Sequence, residues 1–187
     1  YLNVTGNRKH LLSIQPRYHS KMLPDSILNN EANNIIRDVS HTNSIHKIYI
    51  CSMDGVAEFR EGDLIVIYRT TDGQGPARFR SVATSVGVFE EYKNIHSFSS
   101  EADFLTYCSP YSVFTNEELT TIFRQKRYCH VIRFTYNVAM NNRVTRGSLI
   151  DDAKLSEADY WGVMPINDDQ FLKIVELGGI DESLIIN

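Results

Sequence analysis

The chain has 187 residues, of which 42% are apolar and 22% are charged, and its net charge is −4. This composition excludes a disordered chain and predicts one substantial globular domain, with or without an extension. The sequence has no apolar run of membrane-spanning length and no signal-peptide pattern, so we expect a cytoplasmic protein without membrane contact. The net negative charge argues against a protein that coats nucleic acid along its length, but it is compatible with a local basic patch.

The three cysteines, Cys51, Cys108 and Cys129, are far apart and form no CxxC pattern. This spacing indicates reduced thiols in a cytosol-like compartment. Cys129 and His130 are adjacent in a predicted strand, so their side chains should point to opposite faces and cannot share a zinc ion. We therefore predict no metal, and no motif in the sequence requires a cofactor.

The first part of the chain looks different from the rest. Residues 1–45 are rich in Asn, Ser and His, and Pro16 and Pro24 interrupt any long helix. We predict an irregular extension or connector here, with a short helix near residues 25–37. The main domain is predicted to span residues 46–187.

The main domain begins with strands. Residues 46–51 (HKIYIC) have a strand composition, and a Gly62-Asp63 turn leads into the apolar run LIVIY, which predicts a central strand. Residues 71–77 are a loop by their Gly and Pro content. The next strand, RSVATSVGVFEEY, should place four small side chains on one face, where a helix or a ligand can approach closely. They are Ser81, Ala83, Ser85 and Gly87.

Helices and further strands complete the pattern. Helices are predicted at residues 100–108 and 116–127, the second with a Thr115/Glu118 capping box. A strand over residues 127–140 follows, then a strand within KLSEADYWGVMPI, a helix from Asn167 and a short last strand. Strands joined by short turns with a few inserted helices predict an α+β fold, a small mixed barrel-like sheet decorated with helices.

Two polar stretches suggest chemistry that their context does not support. Residues 69–75 resemble the pyrophosphate loop of acetyltransferases, but the spacing is one residue too long and a strand follows instead of a helix. We predict a hairpin connection there. The acids Asp151, Asp152, Glu157 and Asp159 match no metal-binding pattern, so capping and surface roles are the stronger interpretation. No nucleophile motif is present.

Aromatic and arginine residues gather at predicted strand ends. They are Tyr68, Arg69, Arg78, Arg80, Arg143, Arg146, Tyr160 and Trp161. Arginines beside a Tyr-Trp pair are typical of a pocket that stacks a base and holds its phosphate. Equally, Trp161 could fill the core while the arginines pair with the surplus acids. The residues alone leave both interpretations open.

Three segments carry a family resemblance by their order along residues 40–180. GDLIVIYRT, RSVATSVGVFEE and VTRGSLIDDAKLSEADYWGVMPINDDQFLKIVEL resemble the PUA-like superfamily, particularly its EVE and ASCH branches. With PRYHSKMLPDSIL and PYSVF, the chain looks closer still to a domain found C-terminal to a GNAT acetyltransferase module in bacterial proteins. On this resemblance, a chain that begins at Tyr1 is expected to be a piece lacking that module.

The resemblance implies a pseudobarrel whose pocket accepts a nucleobase, often a modified one, flipped from its strand. Carried onto this chain, the pocket would draw on His41, Asn43, Tyr68, Arg69, Thr70, Ser81, Ser85 and Trp161. Three residues from the aromatic and arginine set, Arg80, Arg146 and Tyr160, complete the candidate ligand-binding residues.

Three functions are compatible with these features. The first is a non-catalytic module that binds a nucleotide or nucleic acid (RNA or modified DNA) and serves an acetyltransferase on the same polypeptide. The second is an ASCH-like amidohydrolase acting on an acylated nucleoside, with Lys47 and Thr42 as two of its residues. The third is a structural or dimerisation appendage of an acetyltransferase, which should have no pocket.

Overall fold

The computed structural model describes residues 1–22 and 44–186. Eight strands are present there: Leu2–Asn3 (β1), Lys9–Ile14 (β2), His46–Cys51 (β3), Leu64–Arg69 (β4), Val82–Asn94 (β5), His130–Thr145 (β6), Val163–Ile166 (β7) and Ile185–Ile186 (β8). The α-helices are Pro16–Met22 (α1), Ala77–Arg80 (α2), Glu101–Cys108 (α3), Asn116–Gln125 (α4), Arg146–Asp151 (α5) and Asp168–Leu177 (α6). The predicted helix near residues 25–37 lies outside the described residues.

Six strands form one sheet in the order β3-β6-β5-β4-β2-β7, and β1 pairs with β8 in a separate two-stranded sheet. Within the large sheet β2 runs parallel to β4, and the other neighbouring strands are antiparallel. The mixed sheet with helices packed around it confirms the predicted α+β class. As the run LIVIY predicts, β4 is an inner strand, buried along its whole length.

The segment predicted as an irregular connector supplies an inner strand. All six residues of β2 are buried, and the strand lies between β4 and β7. The prediction of irregular structure was therefore wrong for residues 9–14. A short strand buried on both faces shows no alternation of polar and apolar residues, which is the signal that reveals most strands. Pro16 then begins α1, a position that suits its fixed φ.

The sheet curls so that its two edge strands approach each other. A 3-10 helix, Asp54–Glu58, follows β3 and contacts β7. Gly55 makes this contact close, because a Cβ there would lie 3.2 Å from Cγ1 of Val163. Among the described residues β3 and β7 form no ladder with each other. The curled sheet thus has a seam between its edges, bridged in part by the 3-10 helix.

Apolar side chains pack against both faces of the sheet. On one face, Leu64 and Val66 join a cluster that includes Phe171 and Ile174 of α6. On the other face, Ile65 belongs to a second cluster that also holds side chains of β2, β3 and β6. Helices α3 and α4 cover a third cluster, built on β3 and β6.

An extra residue in β5 breaks the predicted face of small side chains. Ser85 pairs with Ile67 and Ala83 pairs with Tyr68, so Thr84 lies in a bulge between them. Because directly paired residues share a face, Ala83 and Ser85 point to opposite sides of the sheet. The prediction of one small-residue face across residues 81–87 was therefore wrong.

The helix signals were read more accurately. Thr115 and Glu118 form the predicted capping box at the start of α4, and Asn167 and Gln170 form another at the start of α6. Arg78 and Arg80, predicted to open a strand, instead lie on the short helix α2. The long strand predicted for residues 127–140 begins at His130 and continues to Thr145.

No helix within the described ranges is long and apolar enough to cross a membrane.

Candidate functional site

A cavity of about 750 Å³ lies at the seam between the two edges of the sheet, and we call it the seam pocket. The edge strand β3 and the two residues after it line one side, over residues 49–53. Ser13 at the end of β2 and residues 160–162 ahead of β7 line the other. The second side is held together by a hydrogen bond, since the backbone N–H of Ser13 donates to the carbonyl of Gly162 at 2.8 Å.

The structure brings six of the predicted ligand-binding residues to this pocket. They are Tyr68, Thr70, Ser81, Arg146, Tyr160 and Trp161. They come from the end of β4, the loop after it, the start of β5, the start of α5 and the turn before β7. Their meeting follows from the antiparallel pairing of β4, β5 and β6, which places these chain ends at one edge.

Three predicted residues do not line the seam pocket. Arg69 is buried and alternates with Tyr68 along β4, so it faces the opposite side of the sheet. Ser85 is fully buried beyond the bulge. Arg80 on α2 forms an ion pair with Asp72. His41 and Asn43 lie outside the described residues.

Trp161 combines the two roles that its sequence context leaves open. Only 8% of it is exposed, and its ring packs 5.4 Å from the Tyr68 ring. Its Nε1 donates to the carbonyl of Ser156 at 3.1 Å. The guanidinium of Arg146 lies 4.2 Å from the centre of the indole, close enough for a cation–π interaction. Trp161 is thus a core residue that also forms part of the pocket wall.

The other aromatic of the pair is placed differently. Tyr160 is 68% exposed at the pocket mouth, and its ring lies over Gly162, where a Cβ would overlap it. Both residues belong to a turn, because β7 begins only at Val163. The strand predicted within KLSEADYWGVMPI therefore begins after Tyr160 and Trp161, and strand alternation does not decide which of them faces the pocket.

The hydroxyl of Tyr68 is the unusual polar group of the site. The side chain is buried, with 2% of the residue exposed, and its oxygen has no hydrogen-bond partner within residues 1–22 and 44–186. A buried hydroxyl without a partner is costly to the fold, and such groups are rare. Because Tyr68 also lines the pocket, its hydroxyl is a candidate donor and acceptor for a bound molecule.

Sequence reasoning missed the part of the pocket that comes from β2, α1, β3 and the loop before α4. The missed residues include Ser13, Gln15, Arg17, Tyr18, Tyr49 and Phe114. The rings of Tyr18 and Phe114 lie 4.9 Å apart, and the Arg17 guanidinium lies 4.4 Å from the Tyr18 ring centre. The segment SIQPRY contains the feature that could have revealed them, since its polar and aromatic residues directly follow a short apolar run.

The charges of the pocket favour an anion. Arg17 and Arg146 line it, and Asp159 is the one acid among its described lining residues. The other acids named from the sequence, Asp151, Asp152 and Glu157, are exposed. Asp151 pairs with Arg78, in keeping with the surface roles expected for these acids. The described residues contain no group of His, Cys, Asp and Glu that could hold a metal ion.

The pocket also lacks an activated nucleophile among its described residues. Cys51 lines it, but burial raises the pKa of this thiol to about 11, so it stays protonated near neutral pH. Lys47, named for the amidohydrolase alternative, is 1% exposed and does not line the pocket. Thr42 lies outside the described residues. The arrangement suits binding by stacking, hydrogen bonds and charge.

Comparison with known structures identifies the fold. No family model and no curated protein matches the sequence. An ASCH protein from Zymomonas mobilis superposes with a TM-score of 0.52 at 8% identity, over 90% of this chain and 94% of that one. A mutant of that protein gives 0.54, at 8% identity and over 90% and 95% of the two chains. A protein from Agrobacterium tumefaciens gives 0.51 at 10% identity, over 92% and 93%.

These likenesses establish the architecture. The chain has the ASCH-type, PUA-like fold, which confirms the predicted fold class. At such low identity the comparison speaks for the fold alone. An association with an acetyltransferase module stays a prediction.

Proposed function

We propose that the chain is a non-catalytic binding module that holds a nucleobase in the seam pocket, from a free nucleotide or from a nucleic acid. The observation that carries this proposal is the buried Tyr68 hydroxyl without a partner, set beside the Arg146–Trp161 stack. A base offers the hydrogen-bonding groups that this hydroxyl lacks, and its phosphate is a suitable partner for arginine.

The size of the pocket supports this class of ligand. Pockets for small molecules and cofactors have volumes of roughly 300–1,000 Å³, and the seam pocket has about 750 Å³. Aromatic rings form much of its lining, from Tyr18, Tyr49, Phe114 and Tyr128. Flat apolar walls with a few polar groups are what a base needs in order to stack and to be oriented.

The neighbours with the same fold include ASCH proteins, which is compatible with a role in nucleic-acid binding. RNA or modified DNA as the ligand, and service to an acetyltransferase on the same polypeptide, are finer parts of the proposal. The pocket counts against a purely structural appendage, because that alternative predicts none. Nothing among the described lining residues favours the amidohydrolase alternative.

Fluorescence of the single tryptophan provides the test. Titrating the chain with the four common ribonucleoside monophosphates and with short oligonucleotides, modified and unmodified, should give a saturable change at Trp161. The matched control is ribose 5-phosphate, which carries the phosphate without the base and should produce a much smaller effect. Identical responses to ribose 5-phosphate and to the nucleotides would contradict base binding.

A further inference from the structure

One wall of the seam pocket is the free edge of a strand. Among the described residues, β3 is the terminal strand of the six-stranded sheet and pairs there with β6 alone. Five consecutive residues, 49–53, line the pocket. Consecutive lining along a strand is unusual, because alternate side chains point to opposite faces of the sheet. The backbone itself must therefore form part of this wall.

The pairing shows which backbone groups point outward. The N–H of Ile48 donates to the carbonyl of Tyr111 at 3.0 Å, outside the six-stranded sheet. Residues two apart along a strand share this direction, so the N–H and C=O of Ile50 also point away from β6. Tyr49, which pairs with Ile132, directs its own backbone groups toward β6.

The side chain of Ile50 is engaged elsewhere. It packs in the cluster beneath α3 and α4, with Phe104 and Leu119. Because Ile50 nevertheless lines the seam pocket, the contact is through its backbone. In the part of the chain that the structure describes, no hydrogen bond engages the outward N–H or C=O of Ile50.

An N–H beside a C=O can form two adjacent hydrogen bonds with a nucleobase, one as donor and one as acceptor. The Watson–Crick edge of every common base presents a donor next to an acceptor, such as N3–H beside O4 in uracil or N6–H beside N1 in adenine. We infer that the edge of β3 at Ile50 reads the Watson–Crick edge of the bound base through the backbone. This inference rests on the proposed function and specifies which side of the base faces the protein.

The inference limits which modified bases fit. A methyl group on a ring nitrogen of the Watson–Crick edge removes a donor from uracil or guanine, or an acceptor from adenine or cytosine. It also projects into the β3 wall, leaving the N–H or the C=O of Ile50 without a partner. A methyl group at carbon 5 of a pyrimidine, or at carbon 8 of a purine, lies on another side of the base. The ligand class is thus a base with an unsubstituted Watson–Crick edge, taken from a single strand or a free nucleotide, since pairing hides that edge in a duplex.

The experiment uses the whole chain, labelled with nitrogen-15, and the monophosphate that binds tightest of the four common ones by Trp161 fluorescence. Its derivative methylated on the Watson–Crick edge is compared with the derivative methylated at carbon 5 or carbon 8. We expect the first to bind at least about tenfold more weakly, because a buried hydrogen bond is lost. The second should bind like the parent.

Amide hydrogen exchange gives an independent readout. The unmodified nucleotide should slow exchange at the Ile50 amide, whereas the Tyr49 amide, which is bonded within the sheet, serves as the internal control. Equal affinity for the edge-methylated derivative, or unchanged exchange at Ile50 while Trp161 responds, would overturn this inference and leave the proposed function standing. If none of the four monophosphates changes the Trp161 signal, the proposed function fails, and this inference fails with it.

Discussion

At the scale of single residues, the site depends on two polar side chains, those of Tyr68 and Arg146. Tyr68 lines the pocket, and its buried hydroxyl forms no hydrogen bond to any described residue. The guanidinium of Arg146 lies over the ring of Trp161, and Arg146 also lines the pocket. If residue 68 served only the stability of the fold, phenylalanine would be more favourable there than tyrosine, since an unsatisfied hydroxyl weakens the native state. In the proposed function, a bound nucleobase supplies the missing hydrogen-bond partner.

Tyr68→Phe should therefore separate stability from binding. Removing an unsatisfied hydroxyl should leave the free energy of unfolding unchanged or raise it by about 1 kcal/mol, while nucleotide affinity should fall about fivefold to tenfold. Urea unfolding and Trp161 fluorescence measure the two quantities. Tyr92→Phe is the matched control, because the Tyr92 hydroxyl bonds Nδ1 of His130 at 2.8 Å. That variant should lose about 1 kcal/mol of stability without losing affinity.

Arg146→Gln tests the electrostatic part of the site. The change removes the cation that faces both Trp161 and the pocket, so nucleotide affinity should fall about tenfold and depend less on salt. The cation–π contact is partly exposed, so the stability cost should stay near about 1 kcal/mol. Arg78→Gln is the control, because Arg78 pairs with Asp151 and does not line the pocket. Equal loss of affinity in both variants would indicate a general charge effect.

The adjacent aromatic residues Tyr160 and Trp161 should differ sharply in their contribution to stability. Trp161→Ala empties a buried site beside Tyr68 and should lower the free energy of unfolding by about 3–5 kcal/mol. Tyr160→Ala removes an exposed ring and should change it by no more than about 0.5 kcal/mol. Urea unfolding followed by circular dichroism measures both variants. A small loss for Trp161→Ala would show that the indole is only a surface platform.

At the scale of the elements, local signals in the sequence were reliable where they depend on neighbouring residues. The capping boxes at Thr115 and Asn167 mark the starts of α4 and α6 because each is complete within four residues. The inner position of β4 likewise follows from its own apolar run. These features could be predicted from the sequence.

Features that depend on distant pairing could not be predicted. The bulge at Thr84 arises from the register of β5 against β4 and β6, and it moves Ser85 away from the pocket. β2 is recognisable only once β4 and β7 are seen on either side of it. Six of the 21 residues that line the pocket were therefore found from the sequence, namely those at the ends of β4, β5 and β6 and in the turn before β7. The residues from β2, α1 and β3 were missed.

The packing of α1 on the sheet gives a pH-dependent prediction. His19 is fully buried, and its Nε2 lies 2.7 Å from Oγ1 of Thr84. Burial, and then the charges of Arg69 and Arg143, lower the pKa of His19 to about 3. The imidazole is thus neutral in the folded chain, whereas in the unfolded chain it binds a proton below its ordinary pKa of 6.5.

The stability that His19 contributes should be complete above pH 6.5 and should decrease as the pH falls toward 3. In this window the loss should reach up to about 1.4 kcal/mol per pH unit. His19→Gln keeps a polar side chain that does not titrate, so its unfolding free energy should fall less steeply. Parallel curves for the two proteins in urea unfolding would show that His19 does not titrate on unfolding.

At the scale of the whole molecule, the fold creates the site by curling one sheet until its edges meet. The 3-10 helix after β3 contacts β7, and the seam pocket lies beside that contact. Although the chain carries a net charge of −4, two arginines and one acid line the described pocket. The ASCH-type fold thus places a locally cationic, aromatic cavity on an acidic protein, so recognition should depend on the pocket and not on overall charge.

A crystal structure of the chain with its tightest-binding ribonucleoside monophosphate tests this account most directly. We predict density for the base in the seam pocket, with a ligand atom within hydrogen-bond distance of the Tyr68 hydroxyl and the phosphate next to Arg146 or Arg17. A base bound elsewhere, for example along the groove between α6 and β8, with the seam pocket empty or occupied only by water, would contradict it.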